Sequence, residues 1–217
     1  MEAAPDGTVR ILLVDDHALV REGLRRIIQE ESRFVVAGEA ATGNEGLRLA
    51  LSTPCDVVVL DLSLPDRSGL EILKAIRSSK PAVPVLVVTM HGEEEYGVRA
   101  MRADAAGYLT KESAGEELVA AIRSVIAGRR YISPRLADLI AVHMAHSTSE
   151  TPHAKLSDRE YEILCAIGSG LTLAEIGRRL GLSIKTVSTY RSRLLEKLQL
   201  ESTTQLVRYA LEHRLVE

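Results

Sequence analysis

Aromatic residues are nearly missing from this 217-residue chain, which has no Trp, one Phe and six Tyr. So few rings disfavour the stacking platforms that hold single-stranded nucleic acid and the aromatic-lined pockets that hold large ligands. Cysteine is as scarce. Cys55 and Cys165 stand far apart, outside any Cys-x-x-Cys or Cys/His spacing. They imply neither a disulfide framework nor a zinc site and read as buried thiols of a reducing compartment. No apolar run approaches the ~18 residues of a membrane span, and the first residues, Met1 to Asp6, form neither a basic nor an apolar leader, so a cytoplasmic protein is expected. Neither sign of charge dominates. With 27 Lys+Arg against 30 Asp+Glu, the formal charge is -3, which over the whole chain argues against nucleic acid.

What is present is globular: 46% hydrophobic and 26% charged residues, in a length that suits two small domains at ~150 residues per domain. Short β-branched runs at 9–14, 34–37, 57–60, 83–88 and 106–109 alternate with helical patterns. The runs are apolar throughout, as strands buried on both faces are. Between them Leu24, Ile27 and Ile28; Leu47, Ala50 and Leu51; Leu70, Leu73 and Ile76; Val98 and Met101; and Leu118, Ile122, Val125 and Ile126 fall at helical spacing and face the sheet. Thr42-Gly43-Asn44-Glu45 is a capping-box pattern. Five βα units predict an α/β, flavodoxin-like, doubly wound parallel sheet.

Beyond Gly128 the pattern changes. Residues 135–145 read as a helix, and the polar stretch 146–153, with Pro152, reads as a linker. Then everything is helical: a capping box at Ser157-Asp158-Arg159-Glu160, a short helix over 171–180, a turn at Gly181-Leu182-Ser183, a helix over 184–198, and a last one capped by Ser202-Thr203-Thr204-Gln205. Four helices with a tight Gly-containing turn predict a helix-turn-helix. The division is an extension at 1–8, a sheet domain at 9–128, a partly helical linker at 129–153 and a helical domain at 154–217. The charge divides with it. Residues 152–217 hold 10 Lys+Arg against 8 Asp+Glu, a balance of +2, and the rest holds 17 against 22, a balance of −5.

In open α/β sheets ligands bind outside the carboxyl ends of the strands. Those ends carry Asp15 and Asp16, Asp61, Thr89 and Lys111. Three carboxylates brought together repel, and a Mg²⁺ ion with oxygen ligands supplies the missing counter-charge. A phosphoryl group accounts for the rest: Asp61 attacks phosphorus, Mg²⁺ and Lys111 neutralise the equatorial oxygens, and Thr89 donates to one of them. A lone Asp after a strand is ordinarily a helix cap, and a lone Lys a surface residue; their joint placement carries the reading.

Leu13-Val14-Asp15-Asp16-His17, Leu60-Asp61-Leu62-Ser63-Leu64-Pro65, Val88-Thr89-Met90-His91 and Gly107-Tyr108-Leu109-Thr110-Lys111 resemble the receiver domain of bacterial response regulators. The resemblance implies that Asp61 takes a phosphoryl group from a sensor histidine kinase. It also implies Asp16, Asp61 and the backbone carbonyl of Ser63 as metal ligands, Asp15 acting mostly through water, Thr89 and Tyr108 as a switch pair, and Lys111 as the phosphate contact. Two positions depart from the usual pattern: Asp104 where Gly is common, and Arg67-Ser68-Gly69 in place of a frequent Asp-Gly.

In the helix over 184–198, Val187, Leu194 and Leu198 fall on one face, leaving Lys185, Ser188, Thr189 and Ser192 opposite, where short donors and acceptors reach base edges in a major groove. Lys185, Arg191, Arg193 and Lys197, with Arg178 and Arg179, suit backbone phosphates. Leu156 to Glu160, Leu173 to Ser183 and Lys185-Thr186-Val187 resemble the LuxR-type helix-turn-helix of NarL/FixJ response regulators. That resemblance implies double-stranded DNA as partner and a last helix, carrying Thr203, Leu206, Val207 and Ala210, that dimerises the domain on activation. Arg191 departs from a usually apolar position.

Other readings fit less. An aspartate-nucleophile phosphatase needs a second Asp two residues after the first, where this chain has Ser63. A regulator gated by a small molecule is at odds with the few aromatics and the full acidic set. A phosphorylation-independent regulator of the same fold is the nearest alternative. The expected protein is not an enzyme beyond its own phosphoryl transfer. His143 and His146 lack companions for a metal, and Glu93-Glu94-Glu95 reads as an exposed loop and helix start.

Overall fold

In the computed structural model, which describes residues 7–145, 152–213, 215 and 216, five parallel strands form one sheet in the order β2-β1-β3-β4-β5. They are β1 (Val9–Val14), β2 (Phe34–Ala40), β3 (Val57–Leu60), β4 (Val85–Thr89) and β5 (Gly107–Thr110). Between them run α1 (Ala18–Gln29), α2 (Gly43–Ser52), α3 (Gly69–Ser79) and α4 (Val98–Arg102), with α5 (Ala114–Ile126) after β5. β3 and β4 are buried at every residue, as their unbroken Val/Leu runs require. β4 starts later than its apolar run because Pro84 has no N–H for the ladder; its carbonyl instead accepts from Val58.

β2 corrects the expectation of strands buried on both faces. It is an edge strand, buried only at Phe34 and Ala40, and its register against β1 shifts between Ile11 and Leu12. Leu51 and Ile126, expected to face the sheet, are 43% and 37% exposed at helix ends that overrun it. Leu24, Ile28, Leu118, Ile122 and Val125 do pack on Ile11, Leu13, Val57 and Val59 in the core. The capping box at α2 forms only in part. Thr42 Oγ1 accepts from Glu45 N, but Glu45 reaches Ala41 N, and the free amides of Gly43 and Asn44 are taken at 2.7 and 2.8 Å by the carboxylate of Asp66. Glu93 to Glu95 sit in a π turn, Glu93–Gly97, half-buried and not in an exposed loop.

The chain divides into two units, Met1–Pro134 and Arg135–Glu217. The second contains α6 (Pro134–Ala145, which starts one residue earlier), a 3₁₀ turn at Pro152–Lys155, α7 (Asp158–Gly168), α8 (Leu173–Arg179), α9 (Ile184–Leu198) and α10 (Thr203–Glu212). Residues 1–6 and, within the expected linker, 146–151 with His146 lie outside the described residues. Ser157 and Glu160 form the full capping box on α7, and Thr172 with Glu175 forms another on α8. Gly181, at φ 63, turns the chain from α8 into α9. Ile176, Val187, Leu194, Leu198 and Leu206 make the apolar interior.

Candidate functional site

The chain runs from β1 outward to β2 and then crosses to β3 on the other side, so the carboxyl ends of β1 and β3 flank a crevice. Asp15 and Asp61 stand in it side by side, each 2% exposed. The Lys111 ammonium, arriving after β5, lies 2.7 Å from Asp15 Oδ2 and 2.7 Å from Asp61 Oδ2. The strand ladder sets that position, since Lys111 N donates to Thr89 O at 2.7 Å. Burial pushes the Asp15 carboxyl up, against the pull of Lys111. Burial works against the Lys111 charge, but Asp61 and Asp15 outweigh it and hold the ammonium above its ordinary pKa.

One ammonium does not balance this set. Asp16, partly exposed, is 2.6 Å from His17 Nδ1, and oxygen or nitrogen atoms of Asp15, Asp16, His17 and Asp61 all lie within 4.8 Å of one another. Three carboxylates against one lysine leave the negative excess that a hard divalent cation offsets, and the oxygen-rich donors fit one. Asp61 Oδ1 is held by Ser63 N at 3.1 Å. The Thr89 hydroxyl is fully buried with no partner among the described residues. Tyr108 is 1% exposed and donates to the carbonyls of His91 and Gly92 at 3.0 and 3.3 Å. Thus the expected residues Asp15, Asp16, Asp61 and Lys111 are brought together, with Thr89 at the end of the neighbouring strand β4.

In the second unit, α9 presents Lys185, Thr189, Ser192 and Arg193 to solvent, with Ser188 half-buried. The hydroxyls of Thr189 and Ser192 are bonded back to Lys185 O and Ser188 O, at 3.0 and 3.1 Å. Thr186 serves the helix cap, with its amide on Ser183 Oγ.

The sequence model of the response regulator receiver domain matches residues 11–123, and that of the luxR family of bacterial regulatory proteins matches residues 154–210. The chain is 39% identical to the response regulator UvrY of Escherichia coli K12 over 208 residues, 95% of each chain. It is 40% identical to the response regulator GacA of Pseudomonas aeruginosa over 210 residues, 96% of this chain and 98% of the relative. Among solved structures, a LuxR-family two-component response regulator from Aurantimonas sp. SI85-9A1 is 44% identical, with TM-score 0.59, covering 64% of this chain and 99% of that one. The chain belongs to the NarL/FixJ response regulators. Both matching families are regulatory, so this is a two-component regulator of transcription.

Several of the residues expected to meet DNA or a second copy of this response regulator have contacts within the chain. Lys197 is not a free cation for phosphate: its Nζ is 2.7 Å from Glu160, which also closes the α7 capping box. Arg191 is half-buried, reaches back to Thr203 Oγ1 at 3.4 Å, and has a buried Nε with no partner among the described residues. Leu206 and Ala210 are fully buried, facing α7, where a Cβ on Gly168 would come within 2.6 Å of Ala210. Of α10, therefore, Val207 and Thr203 are partly accessible, and Leu211, unmarked in the sequence, is 49% exposed.

The structure also adds residues to the response regulator's receiver site. His91 links Ser63 Oγ at 2.9 Å to Glu95 Oε2 at 3.2 Å. Asp66 ties the loop after Asp61 to the start of α2; burial opposes its charge, but the N–H groups of Asn44 and Gly43 hold its carboxyl below the usual range. His17 and His91 lay inside the quoted motifs, one and two residues beyond Asp16 and Thr89, and only their contacts give them roles.

Proposed function

We propose that a sensor histidine kinase phosphorylates Asp61 and that this phosphorylation controls dimerisation and sequence-specific binding of α9 to double-stranded DNA. The observation that carries the reading is the placing of Lys111 against both Asp15 and Asp61. Asp61 is the nucleophile: one carboxylate oxygen bonds to phosphorus as the P–N bond to the kinase's phosphohistidine breaks and the imidazole nitrogen leaves with its electron pair. Lys111 follows the charge onto the phosphoryl oxygens, and Thr89 donates to one of them. Asp16, Asp61 and the Ser63 carbonyl would hold Mg²⁺, with Asp15 acting mostly through water; the ion supplies charge neutralisation at those oxygens. Apart from this transfer onto itself the protein is not an enzyme, and no small-molecule substrate is needed. The free, buried Cys55 and Cys165 suit the reducing cytoplasm.

On the DNA side, Lys185, Ser188, Thr189 and Ser192 read the major groove, and Lys185, Arg193, Arg178 and Arg179 hold phosphates. Treating the parent and Asp61→Ala with a small phosphodonor and Mg²⁺ tests the first half: the parent gains one phosphoryl group by mass, and equal labelling of both sinks the assignment. Footprints of Lys185→Ala and Ser188→Ala test the second, and patterns identical to the parent refute it.

A further inference from the structure

The segment between α5 and α6 is laid along the sheet edge as a strap. Tyr131 forms a parallel bridge with Gly107, its amide donates to Ala106 O, and Tyr108 N donates to Tyr131 O, both at 3.0 Å. Its phenol donates to Glu117 on α5 at 2.7 Å, a bond that pushes Tyr131 up to about 12. Gly107 lets the strap lie this close, because a Cβ there would come within 2.8 Å of the Tyr131 carbonyl oxygen. Two residues on, Ser133 Oγ donates to Glu93 Oε2 at 2.7 Å. Glu93 opens the π turn that follows β4, and the Tyr108 hydroxyl holds the carbonyls of the two residues before it.

The strap is thus fastened in two different ways. Tyr131 is bonded to β5 and α5 and Arg130 to Asp104, ahead of β5, whereas Ser133 is bonded to the loop that leaves Thr89. Drawing the Thr89 hydroxyl toward a phosphoryl oxygen breaks no bond it makes to the described residues. Residues 90–93 leave Thr89 directly, and the bond from Ser133 to Glu93 at their end holds only while distance and angle are kept. We propose that the Glu93–Ser133 hydrogen bond is a latch through which phosphorylation sets the freedom of the linker entering α6. The latch rests on the phosphoacceptor reading above: closed, it holds the last residue before α6 to the loop that leaves Thr89; open, it removes that tie while Tyr131 and Arg130 still hold the start of the strap. A two-state contact biased by a distant group is the minimal coupling element.

Hydrogen exchange of the full-length protein over residues 129–141, with and without a small phosphodonor and Mg²⁺, tests this, with the phosphoryl content of each sample read by intact mass. The parent should exchange faster in this segment when phosphorylated. Ser133→Ala and Glu93→Ala should exchange fast without phosphodonor, and their further response should be about fivefold smaller, the scale of one partly exposed hydrogen bond to a carboxylate. Ser133→Thr, which keeps the hydroxyl, should restore the parental response. Full labelling of Ser133→Ala with parental protection and parental response would overturn the latch alone. An unlabelled parent would overturn the phosphoacceptor reading and the latch's trigger together.

Discussion

Replacing Gly69 by alanine should damage the candidate site through its backbone. Gly69 is the first residue of α3, and a Cβ built on it falls 2.4 Å from Leu62 Cα, 2.5 Å from Asp61 O and 2.9 Å from Leu62 O. All three neighbours are main-chain atoms, so no rotamer change relieves the clash; the loop leaving Asp61 has to move. Forcing a methyl into a packed site costs ~1–3 kcal/mol, and the helix propensity recovered by Gly→Ala, at most ~1 kcal/mol, is smaller still at a first helical position. The net loss should be ~1–2 kcal/mol. Because the Asp61 carbonyl is displaced, phosphodonor labelling should slow by about tenfold or more, as misplacement of a reacting group by an ångström does. Gly23→Ala on α1 is the control: nothing lies within 4 Å of its added Cβ. It should stabilise the chain by ~0.5–1 kcal/mol. Thermal unfolding of the full chain by circular dichroism and the labelling rate read the two effects. Gly69→Ala matching the parent in either measurement would refute the close-approach reasoning.

Three further outcomes are expected. Arg10 grips Asp56 through Nε and Nη2 at 3.1 and 3.0 Å and holds its carboxyl below the ordinary 3.8. Below 3.8 the unfolded chain takes up the proton first, so the stability this pair supplies is present at higher pH and lost as pH falls; Asp56→Asn should remove ~1 kcal/mol of it, seen as a shallower acid limb in pH-dependent unfolding. Asp104 has φ 64, the left-handed conformation that Gly adopts freely, and joins Arg77 and Arg130 at a partly exposed surface. Asp104→Gly should therefore leave stability within ~0.5 kcal/mol, while a β-branched Asp104→Val should lose ~1–3 kcal/mol, and equal melting of the two variants would contradict this. In DNA titrations against salt, Lys185→Ala should lower the slope by about one, whereas Arg191→Leu should leave it unchanged, because Arg191 is turned toward Thr203; the reverse order would show that Arg191 and not Lys185 meets phosphate.

The departures from expectation share a cause. The capping box at Ser157 was legible because both its bonds are local, whereas at Thr42 Glu45 reaches Ala41 N instead of closing the box and Asp66, 22 residues away from Asn44, takes the next amides. Lys197 and Arg191 carry charge at helical positions that suit phosphate, but Glu160 and Thr203, on other helices, already hold them. Leu206 and Ala210 show the same limit for apolar residues, since periodicity marks a face without saying whether it meets its own domain or a second copy.

The sequence alone determined the two-part organisation, the parallel sheet, and the set of Asp15, Asp16, Asp61, Thr89 and Lys111. Strand runs and helical periods are local signals, and the carboxyl-end rule converts them into a place without needing a contact. Only the tertiary structure decided which groups pair: Lys111 with both carboxylates, His91 between Ser63 and Glu95, Asp66 on α2, and Ser133 on Glu93. Those contacts join residues far apart in the chain, and a hydrogen bond is satisfied by distance and angle in space, which spacing along a sequence does not encode.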